Sequence, residues 1–346
     1  MVDFKFPKIT VLMPVYNCEL YIKEAVDSIL SQTFDDFEFL IIDDASTDKT
    51  VGIIKTYNDS RIKLIEKIVN TGYTNSLNYG LTIAHGEYIA RMDGDDISLP
   101  TRFEKQVNFL DANTEVVVCG TLYSIIGSGK VVKYPEAHEQ IKLGMLKENC
   151  IVHPSVMMRK QLLDEFSIIY DITKEPAEDY DMWVQLISLG KFYNIQEALL
   201  NYRFHEFQVS VKRTDQQKKV AIDTRLKLLI GRCDGIKLEE EEVLRKILAN
   251  ELLYDFNEIE IFNKAKQKII KSNALFFFEP NELHKYFFQL EKKIVKNYFL
   301  SRKKFTHRVY LDYFKIKENL AYKISVKDEI KLLVKSFIYW KIKEIS

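Results

Sequence analysis

The sequence predicts an α/β fold with a mostly parallel sheet and helices on both faces, followed by a region that is entirely helical. Through the first 130 residues, apolar runs of strand length alternate with segments of helical periodicity, which is the pattern of a parallel sheet with crossover helices. Several of these runs are continuously apolar, as in strands covered on both faces. From about residue 214 no strand pattern remains, so residues 1–213 and 214–346 are predicted as separate regions.

Each strand of the first region is a short apolar run that a helix-like segment follows. The strands are predicted at 9–15, 38–43, 61–66, 87–92 and 115–122. The first helix is predicted from one apolar face, formed by Ile22, Ala25, Val26, Ile29 and Leu30. Polar side chains ahead of three helices are expected to cap them, namely Asn17, Ser46 or Thr47, and Ser98.

The C-terminal region combines helical periodicity with basic charge. Helices are predicted at 215–231, 238–256, 258–272, 281–300 and 326–345. Residues 301–346 carry a net charge of +7, because they hold 12 Lys or Arg and 5 Asp or Glu; residues 1–300 carry −7, since the chain is neutral as a whole. Such a tail suggests an anionic partner.

The last predicted helix is amphipathic. Lys327, Lys331 and Lys335 share one stripe. The apolar residues are Ile330, Leu333, Val334, Phe337, Ile338 and Trp340. Two interpretations remain open: peripheral contact with the inner leaflet of the cell membrane, or packing on neighbouring helices.

Composition removes several classes of protein. No apolar run approaches 18 residues, so no membrane-spanning helix is predicted. The opening MVDFKFPKIT has no apolar signal region, so export is not expected. The four cysteines are scattered without a Cys-x-x-Cys pair, which indicates neither a zinc ribbon nor a disulfide framework and favours a cytoplasmic location. No nucleic-acid partner is predicted.

Three carboxylates, Asp93, Asp95 and Asp96, directly follow the strand at 87–92. Ionised and unpaired beside a core, each would cost several kcal/mol in order of magnitude, so a cation is expected among them. A calcium loop of the EF-hand type is excluded, because Ile97 stands where an oxygen ligand is needed. An Asp-x-Asp pair holding Mg²⁺ or Mn²⁺ together with phosphate oxygens fits. The alternative is an acidic helix N-terminus, above all for Asp96.

Glycine-rich phosphate loops are not predicted. In the segment around Gly127-Ser-Gly129-Lys130, Ser124 replaces the first glycine of a P-loop and Val131 its final Ser or Thr. A hairpin turn is the better interpretation of this segment. No Gly-x-Gly-x-x-Gly follows a strand either, so a dinucleotide-binding fold is not indicated.

Seven motifs carry a resemblance to a known family. They occur in this order: VLMPVYN, IIDDASTD, NTGYTNSLNYGL, GEYIARMDGDDISLPTRFEKQVNFL, HPSVMMR, AEDYDMW and LLNYRFHEFQVS. Together they resemble family 2 glycosyltransferases of the GT-A (nucleotide-diphospho-sugar transferase) fold, especially bacterial enzymes that build surface polysaccharides. The resemblance covers about residues 8–212. It implies metal-dependent, inverting transfer of a hexose-type sugar from a nucleotide-diphosphate donor, often UDP-linked, to a saccharide or lipid-linked acceptor.

The resemblance also implies roles for individual residues. Asp179 would be the general base, and Asp95 with His205 would bind Mn²⁺ or Mg²⁺. The nucleotide-sugar-binding residues would be Pro14, Tyr16, Asn17, Asp44, Asn70, Gly72 and Asp93. Among them, the Asp44 carboxylate would accept the N3–H of uracil. The acceptor side would be formed by His153, Glu178 and Trp183.

The sequence departs from some relatives at one basic position. Those relatives carry an arginine where this sequence has Leu77, directly before Asn78. No basic contact to the diphosphate is therefore expected from the helix predicted around these two residues. Arg91 or Arg102 remains as a replacement, with a structural ion pair as the alternative for Arg102.

Two competing functions are weighed against glycosyl transfer. A sugar-1-phosphate nucleotidyltransferase needs a glycine-rich, basic loop after the first strand, and VYNCELY offers none. A non-catalytic nucleotide-sugar-binding scaffold is disfavoured because all the expected acidic residues are present.

Overall fold

The computed structural model describes residues 6–206, 208, 213–253, 255–273, 277–302 and 304–339. The chain divides into two compact units, Met1–Thr224 and Arg225–Ser346. The boundary predicted at 213 falls one residue before the helix Thr214–Ile230, whereas the two units divide inside this helix.

The first unit is built on a nine-stranded mixed sheet. The strands are β1 (Ile9–Val15), β2 (Phe37–Asp43), β3 (Ile62–Glu66), β4 (Tyr88–Arg91), β5 (Ile97–Ser98), β6 (Val116–Ile125), β7 (Val131–Val132), β8 (Met157–Arg159) and β9 (Lys191–Tyr202). Their order is β3-β2-β1-β4-β8-β6-β9-β5, with β7 beside β6. β1 to β4 run parallel, while β8 lies antiparallel between β4 and β6. The predicted α/β fold is confirmed, with more antiparallel pairing than expected.

The helices alternate with the strands in the first unit and account for most of the second. Helices α1 to α7 are Ile22–Leu30, Thr50–Ile54, Tyr73–Ile83, Arg102–Ala112, His138–Gly144, Lys160–Glu165 and Glu178–Leu186. Helix α8 is Thr214–Ile230, and α9 to α13 are Leu238–Leu248, Phe256–Ser272, Pro280–Val295, His307–Ile316 and Val326–Phe337. Short 3₁₀ helices lie at His153–Ser155, Ile172–Lys174 and Lys317–Asn319, and a π-helical turn lies at Lys296–Leu300.

The continuously apolar strands form the core of the first unit. Every residue of β1 and β2 is buried, as their sequences predict. The predicted inner face of α1 is confirmed for Ile22, Ala25, Val26 and Ile29, which are fully buried against this sheet. Leu30, at its end, is only partly buried.

The parallel strands end together at one edge of the sheet. Val15 at the end of β1 pairs with Asp43 at the end of β2, and β4 runs parallel on the other side of β1. The polar segments that follow these strands therefore start at the same edge, where ligands of open α/β sheets usually bind.

The three expected helix caps are wrong. α1 begins five residues after Asn17, whose side-chain Oδ1 instead accepts a 2.8 Å hydrogen bond from the Thr47 amide and so ties the loop after β1 to the loop after β2. Asp48, and neither Ser46 nor Thr47, accepts from the first amide of α2. Ser98 lies in β5, and α4 begins only at Arg102.

The glycine-rich segment forms the hairpin that its sequence indicates. β6 and β7 pair antiparallel, and Gly127 and Gly129 between them have φ values of 89° and 65°. Both values are unfavourable for residues with a side chain.

The second unit follows the prediction in outline. The helix predicted at 238–256 ends at Leu248, because the Asp255 carboxylate caps a new helix by accepting from the Asn257 amide. α12 was not predicted. The helix predicted at 326–345 ends at Phe337, and its predicted member Trp340 lies outside the described residues. Within the described part of the chain, no helix has both the length and the apolar character needed to cross a bilayer.

A buried ion pair holds the second unit together. Lys266 of α10 and Glu291 of α11 are 6% and 1% exposed and bond to each other. The Lys266 ammonium also donates to the Asn319 carbonyl at 3.2 Å. The second Glu291 oxygen accepts from the Ala321 and Tyr322 amides at 2.7 and 3.0 Å. The pair thus joins two helices to the segment ahead of α13.

Glu291→Gln is expected to lower the free energy of unfolding of the second unit by about 3–5 kcal/mol, because it leaves the Lys266 charge buried without a counter-ion. Urea denaturation of the full chain measures this loss. Glu282→Gln is the matched control on the same helix, since its pair with Lys285 is exposed and should be worth less than about 1 kcal/mol. Equal losses in both variants would contradict the prediction.

Candidate active site

A cleft of about 900 Å³ opens at the edge where β1, β2 and β4 end. All but one of the predicted site residues line it: Pro14, Tyr16, Asn17, Asp44, Asn70, Gly72, Asp93, Asp95, His153, Glu178, Asp179 and His205. These residues come from all seven motifs and span nearly 200 positions of the sequence. The fold therefore brings them together in one cleft. Their individual roles remain predictions.

Trp183 is the exception. It is fully buried, and its ring lies edge-on to His153 and to Phe192, with ring centroids 5.9 and 6.4 Å apart. The expectation that Trp183 faces the acceptor side needs correction, because its indole packs beneath the cleft wall and has no exposed surface for a ligand.

The acidic turn after β4 brings three carboxylates together. Oxygen atoms of Asp93, Asp95 and Asp96 lie within 4.8 Å of one another. Burial and the charges of the neighbouring carboxylates raise the pKa values of Asp95 and Asp96. The helix-N-terminus alternative for Asp96 is wrong, since α4 begins six residues later and Asp96 instead accepts a 2.8 Å hydrogen bond from the Arg203 amide.

The segment after β9 completes this cluster. β5 pairs antiparallel with β9, so the chain leaving β9 passes directly over the acidic turn. His205 Nε2 lies 2.8 Å from Asp95 Oδ2, and the Arg203 guanidinium donates to the Asp95 carbonyl at 2.8 Å. This tertiary pairing brings together residues that are 110 positions apart.

The donor set of this cluster fits a hard divalent cation. The second carboxylate oxygen of Asp96 is buried and has no hydrogen-bond partner among the described residues. Carboxylate oxygens suit both Mg²⁺ and Mn²⁺, and an imidazole nitrogen suits Mn²⁺ better than Mg²⁺. Asp95 and His205 could bind the ion directly, with Asp93 and Asp96 beside them.

Asp44, which follows β2, lines the cleft and lies in a network of hydrogen bonds. Its Oδ1 accepts from the Lys67 ammonium at 2.5 Å and from the Thr71 amide at 3.1 Å, and its Oδ2 accepts from the Gly72 amide at 2.8 Å. Although burial alone would raise its pKa, Lys67 and the two amides lower it. Asp44 is therefore held as a carboxylate, in a fixed position. Gly72 has a φ of 92°, which favours glycine at this turn.

Glu178 and Asp179 begin α7 on another wall of the cleft. The Asn149 amide donates to Asp179 Oδ2 at 2.8 Å, and the Tyr73 hydroxyl donates to Glu178. Burial raises the pKa of Asp179 to about 6. Burial and the adjacent Asp179 charge raise the pKa of Glu178 further. The Asn149 amide and the nearby Arg91 charge favour the ionised form of Asp179, which can then accept a proton.

The two candidate arginines have different surroundings. The Arg91 guanidinium lines the cleft, bonds to Asp93 and leaves its Nε without a partner in the part of the chain that the structure describes. Its charge favours the ionised form of Asp179. Arg102 donates to the carbonyls of Pro154 and Arg91 at 2.7 and 3.2 Å and does not line the cleft. Of the two arginines, Arg91 is therefore the one at the cleft, where it is almost fully buried beside Asp93.

His153 presents a neutral ring to the cleft. Its Nε2 lies 2.8 Å from the Tyr170 hydroxyl. Burial, together with the Arg91 charge, lowers its pKa well below the usual value. The ring can therefore bind a polar group without adding charge.

Sequence reasoning missed the residues that hold the predicted ones in place. These are Lys67 beside Asp44, Tyr73 beside Glu178, Asn149 beside Asp179 and Arg203 beside Asp96. Of these, only Lys67 could have been predicted from the sequence. It follows β3 directly, and since β3 pairs in parallel with β2, it is expected near Asp44, which follows β2.

Comparisons with known proteins agree with this geometry. The family model "Glycosyl transferase family 2" matches residues 10–166. The chain is 34% identical over 273 residues to the putative glycosyltransferase EpsE of Bacillus subtilis, covering 76% of this chain and 94% of that protein. It is 33% identical over 208 residues to the O-antigen biosynthesis glycosyltransferase WbnJ of Escherichia coli, covering 57% and 80%.

The fold also matches a solved structure. Residues 1–349 of S. aureus TarS, in complex with UDP-GlcNAc, superpose with a TM-score of 0.58 and 19% sequence identity, covering 93% of this chain and 95% of that one. At this identity the likeness concerns the fold alone.

Proposed function

The chain belongs to glycosyl transferase family 2, and on that premise we propose that it catalyses metal-dependent, inverting transfer of a hexose-type sugar from a UDP-sugar. The acceptor is a saccharide or a lipid-linked saccharide in the synthesis of a surface polysaccharide. One observation carries the proposal: a single cleft combines an acidic cluster that fits a divalent cation with a carboxylate poised to accept a proton. Two similar proteins support the substrate classes: WbnJ is a glycosyltransferase of O-antigen biosynthesis, and TarS has been solved in complex with UDP-GlcNAc.

Asp44 and Tyr16 would bind the nucleoside. Asp44 Oδ2 accepts one protein hydrogen bond, and a carboxylate oxygen can accept a second, here from the uracil N3–H. Tyr16 is partly exposed at the cleft and offers a ring against the base. Asn17, Pro14, Asn70 and Gly72 complete this edge.

Asp95 and His205 would hold Mn²⁺ or Mg²⁺ beside the diphosphate. When bound, the cation would act as a Lewis acid that stabilises the negative charge of the departing nucleoside diphosphate. Asp93 would orient the ribose or a metal-bound water, and the buried Arg91 bonded to it would fix its carboxylate.

Asp179 would act as the general base. Its carboxylate takes the proton of the acceptor hydroxyl while that oxygen attacks the anomeric carbon and the bond from this carbon to the diphosphate oxygen breaks. Attack from the side opposite the leaving group inverts the configuration, so an α-linked donor gives a β-linked product. Asn149 and the Tyr180 amide hold the two Asp179 oxygens. His153 and Glu178 would contact the acceptor.

Isothermal titration with a panel of UDP- and GDP-sugars, with and without Mn²⁺, tests the proposal. We expect at least one UDP-sugar to bind with metal-enhanced affinity and to be hydrolysed slowly without an acceptor. Binding with neither hydrolysis nor transfer would favour a non-catalytic scaffold. Pyrophosphate release from UTP and a sugar 1-phosphate would favour a nucleotidyltransferase, and binding of GDP-sugars alone would overturn the UDP assignment.

A further inference from the structure

Helix α13 exposes an apolar stripe. Its members are Val326 (76% exposed), Ile330 (56%), Val334 (50%), Phe337 (56%) and Ile338 (59%). The spacing of four residues, and then three or four, places them on one face of the helix. Leu332 and Ser336 of the same helix are buried, so α13 packs through a different face. Most of the stripe surface therefore stays exposed after α13 has packed within the second unit.

The stripe extends onto the neighbouring helix. The ring of Phe337 lies 6.4 Å from that of Tyr310, which in turn lies 6.4 Å from the ring of Phe314 on α12. Phe314 is itself 56% exposed. We call the five stripe residues and Phe314 the C-terminal apolar patch. A contiguous exposed patch of this kind marks an interaction surface.

Positive charge borders the patch. Lys327 and Lys331 follow Val326 and Ile330 directly, are exposed, and lie along one flank of the stripe. The two acidic residues of α13 neutralise part of this charge. Glu329 accepts from Lys317 at 3.1 Å, whereas Asp328 accepts from the Ser325 hydroxyl at 2.8 Å and forms an exposed pair with Lys331 at 3.7 Å. An apolar face with lysines along its border is typical of helices that lie in a membrane interface.

We propose that the C-terminal apolar patch docks on an anionic lipid surface. The apolar side chains enter the boundary between headgroups and acyl chains, while Lys327 and Lys331 contact the negative headgroups. A second copy of the chain fits this surface less well, because a two-fold interface would bring the same lysines close to one another. This inference does not depend on the proposed function, since it rests on the second unit alone.

Vesicle flotation of the full chain tests the proposal. We expect binding to vesicles containing phosphatidylglycerol, much weaker binding to pure phosphatidylcholine vesicles, and a decrease with salt. The double variant Ile330→Asp/Val334→Asp should abolish flotation. Lys327→Gln/Lys331→Gln should weaken binding roughly fivefold for each lysine removed. All four positions are at the surface, so these variants should fold.

Ile169→Asp is the matched control, because Ile169 is an equally exposed apolar residue of the first unit; it should float like the unchanged chain. Equal binding to neutral and anionic vesicles, or no binding to either, would overturn the proposal. Light scattering decides the rival occupant: a dimer that Ile330→Asp/Val334→Asp dissociates would assign the patch to a second copy instead.

Discussion

Asp179→Asn is expected to abolish sugar transfer while donor affinity stays within about twofold of the original. The substitution keeps the shape of the side chain and an oxygen for the Asn149 amide, but an amide cannot take a proton from the acceptor. General-base catalysis contributes on the order of 10²–10⁴ to rates of this kind, so we expect a decrease in kcat of about 10³. Steady-state transfer assays and calorimetric titration with the UDP-sugar measure the two effects.

Glu178→Gln is the matched control, because it makes the same chemical change one residue earlier in the same helical turn. It should reduce transfer far less, since burial and the adjacent Asp179 charge raise the pKa of Glu178 and so disfavour its ionised form as the base. Retained turnover in Asp179→Asn, with loss of turnover in Glu178→Gln, would move the base assignment to Glu178.

The base role of Asp179 also predicts how activity and stability depend on pH. Because burial raises the pKa of Asp179 to about 6, kcat/KM should fall tenfold per pH unit below about 6, as the base becomes protonated. The stability of the folded state should depend on pH in the opposite direction. A carboxyl whose pKa is raised by folding stabilises the folded state most at low pH, below its unfolded-state pKa. For Asp179 this stabilisation is lost as the pH rises through about 6. Asp179→Asn should therefore raise the Tm at pH 7.5, and a lower Tm would indicate misfolding.

The sequence predicts a strand correctly where the residues of that strand alone show the expected hydrophobic pattern. β1 and β2 are recognisable because burial on both faces requires continuously apolar runs. β8 has three residues, too few for any periodicity, and β9 alternates irregularly because its pairing with β6 contains register shifts. β8 and β9 were therefore not predictable, although β6 between them in the sheet was.

In the site, too, local sequence patterns predict some features, whereas contacts between distant segments could not be predicted. The acidic turn can be predicted from the sequence, because three carboxylates come directly after a buried strand, where unpaired charges are unfavourable. The contact of His205 with Asp95 depends on β5 meeting β9, and that of Tyr73 with Glu178 joins α3 to α7. Without the family resemblance, no local pattern in the sequence would have related these residues to one another.

Asp95→Ala is expected to remove the dependence of nucleotide binding on metal. In the unchanged chain, UDP should bind at least tenfold more tightly with Mn²⁺ than with EDTA, a difference of about 1.4 kcal/mol; in the variant the two affinities should be equal. The physical reason is that Asp95 is the carboxylate in contact with His205, so its loss removes one ligand and leaves the other without its partner. Calorimetric titration with UDP in both buffers measures the difference.

The control for Asp95→Ala is Asp35→Ala, which removes an exposed acid two residues before β2, at the end of that strand opposite to the cleft. It changes the net charge equally and should keep the full Mn²⁺ effect. Because burial and the Asp93 charge raise the pKa of Asp95, removing this carboxylate also relieves repulsion with Asp93 in the metal-free protein. If Asp95→Ala retains the tenfold Mn²⁺ enhancement, the cation binds elsewhere and the acidic turn is not its site.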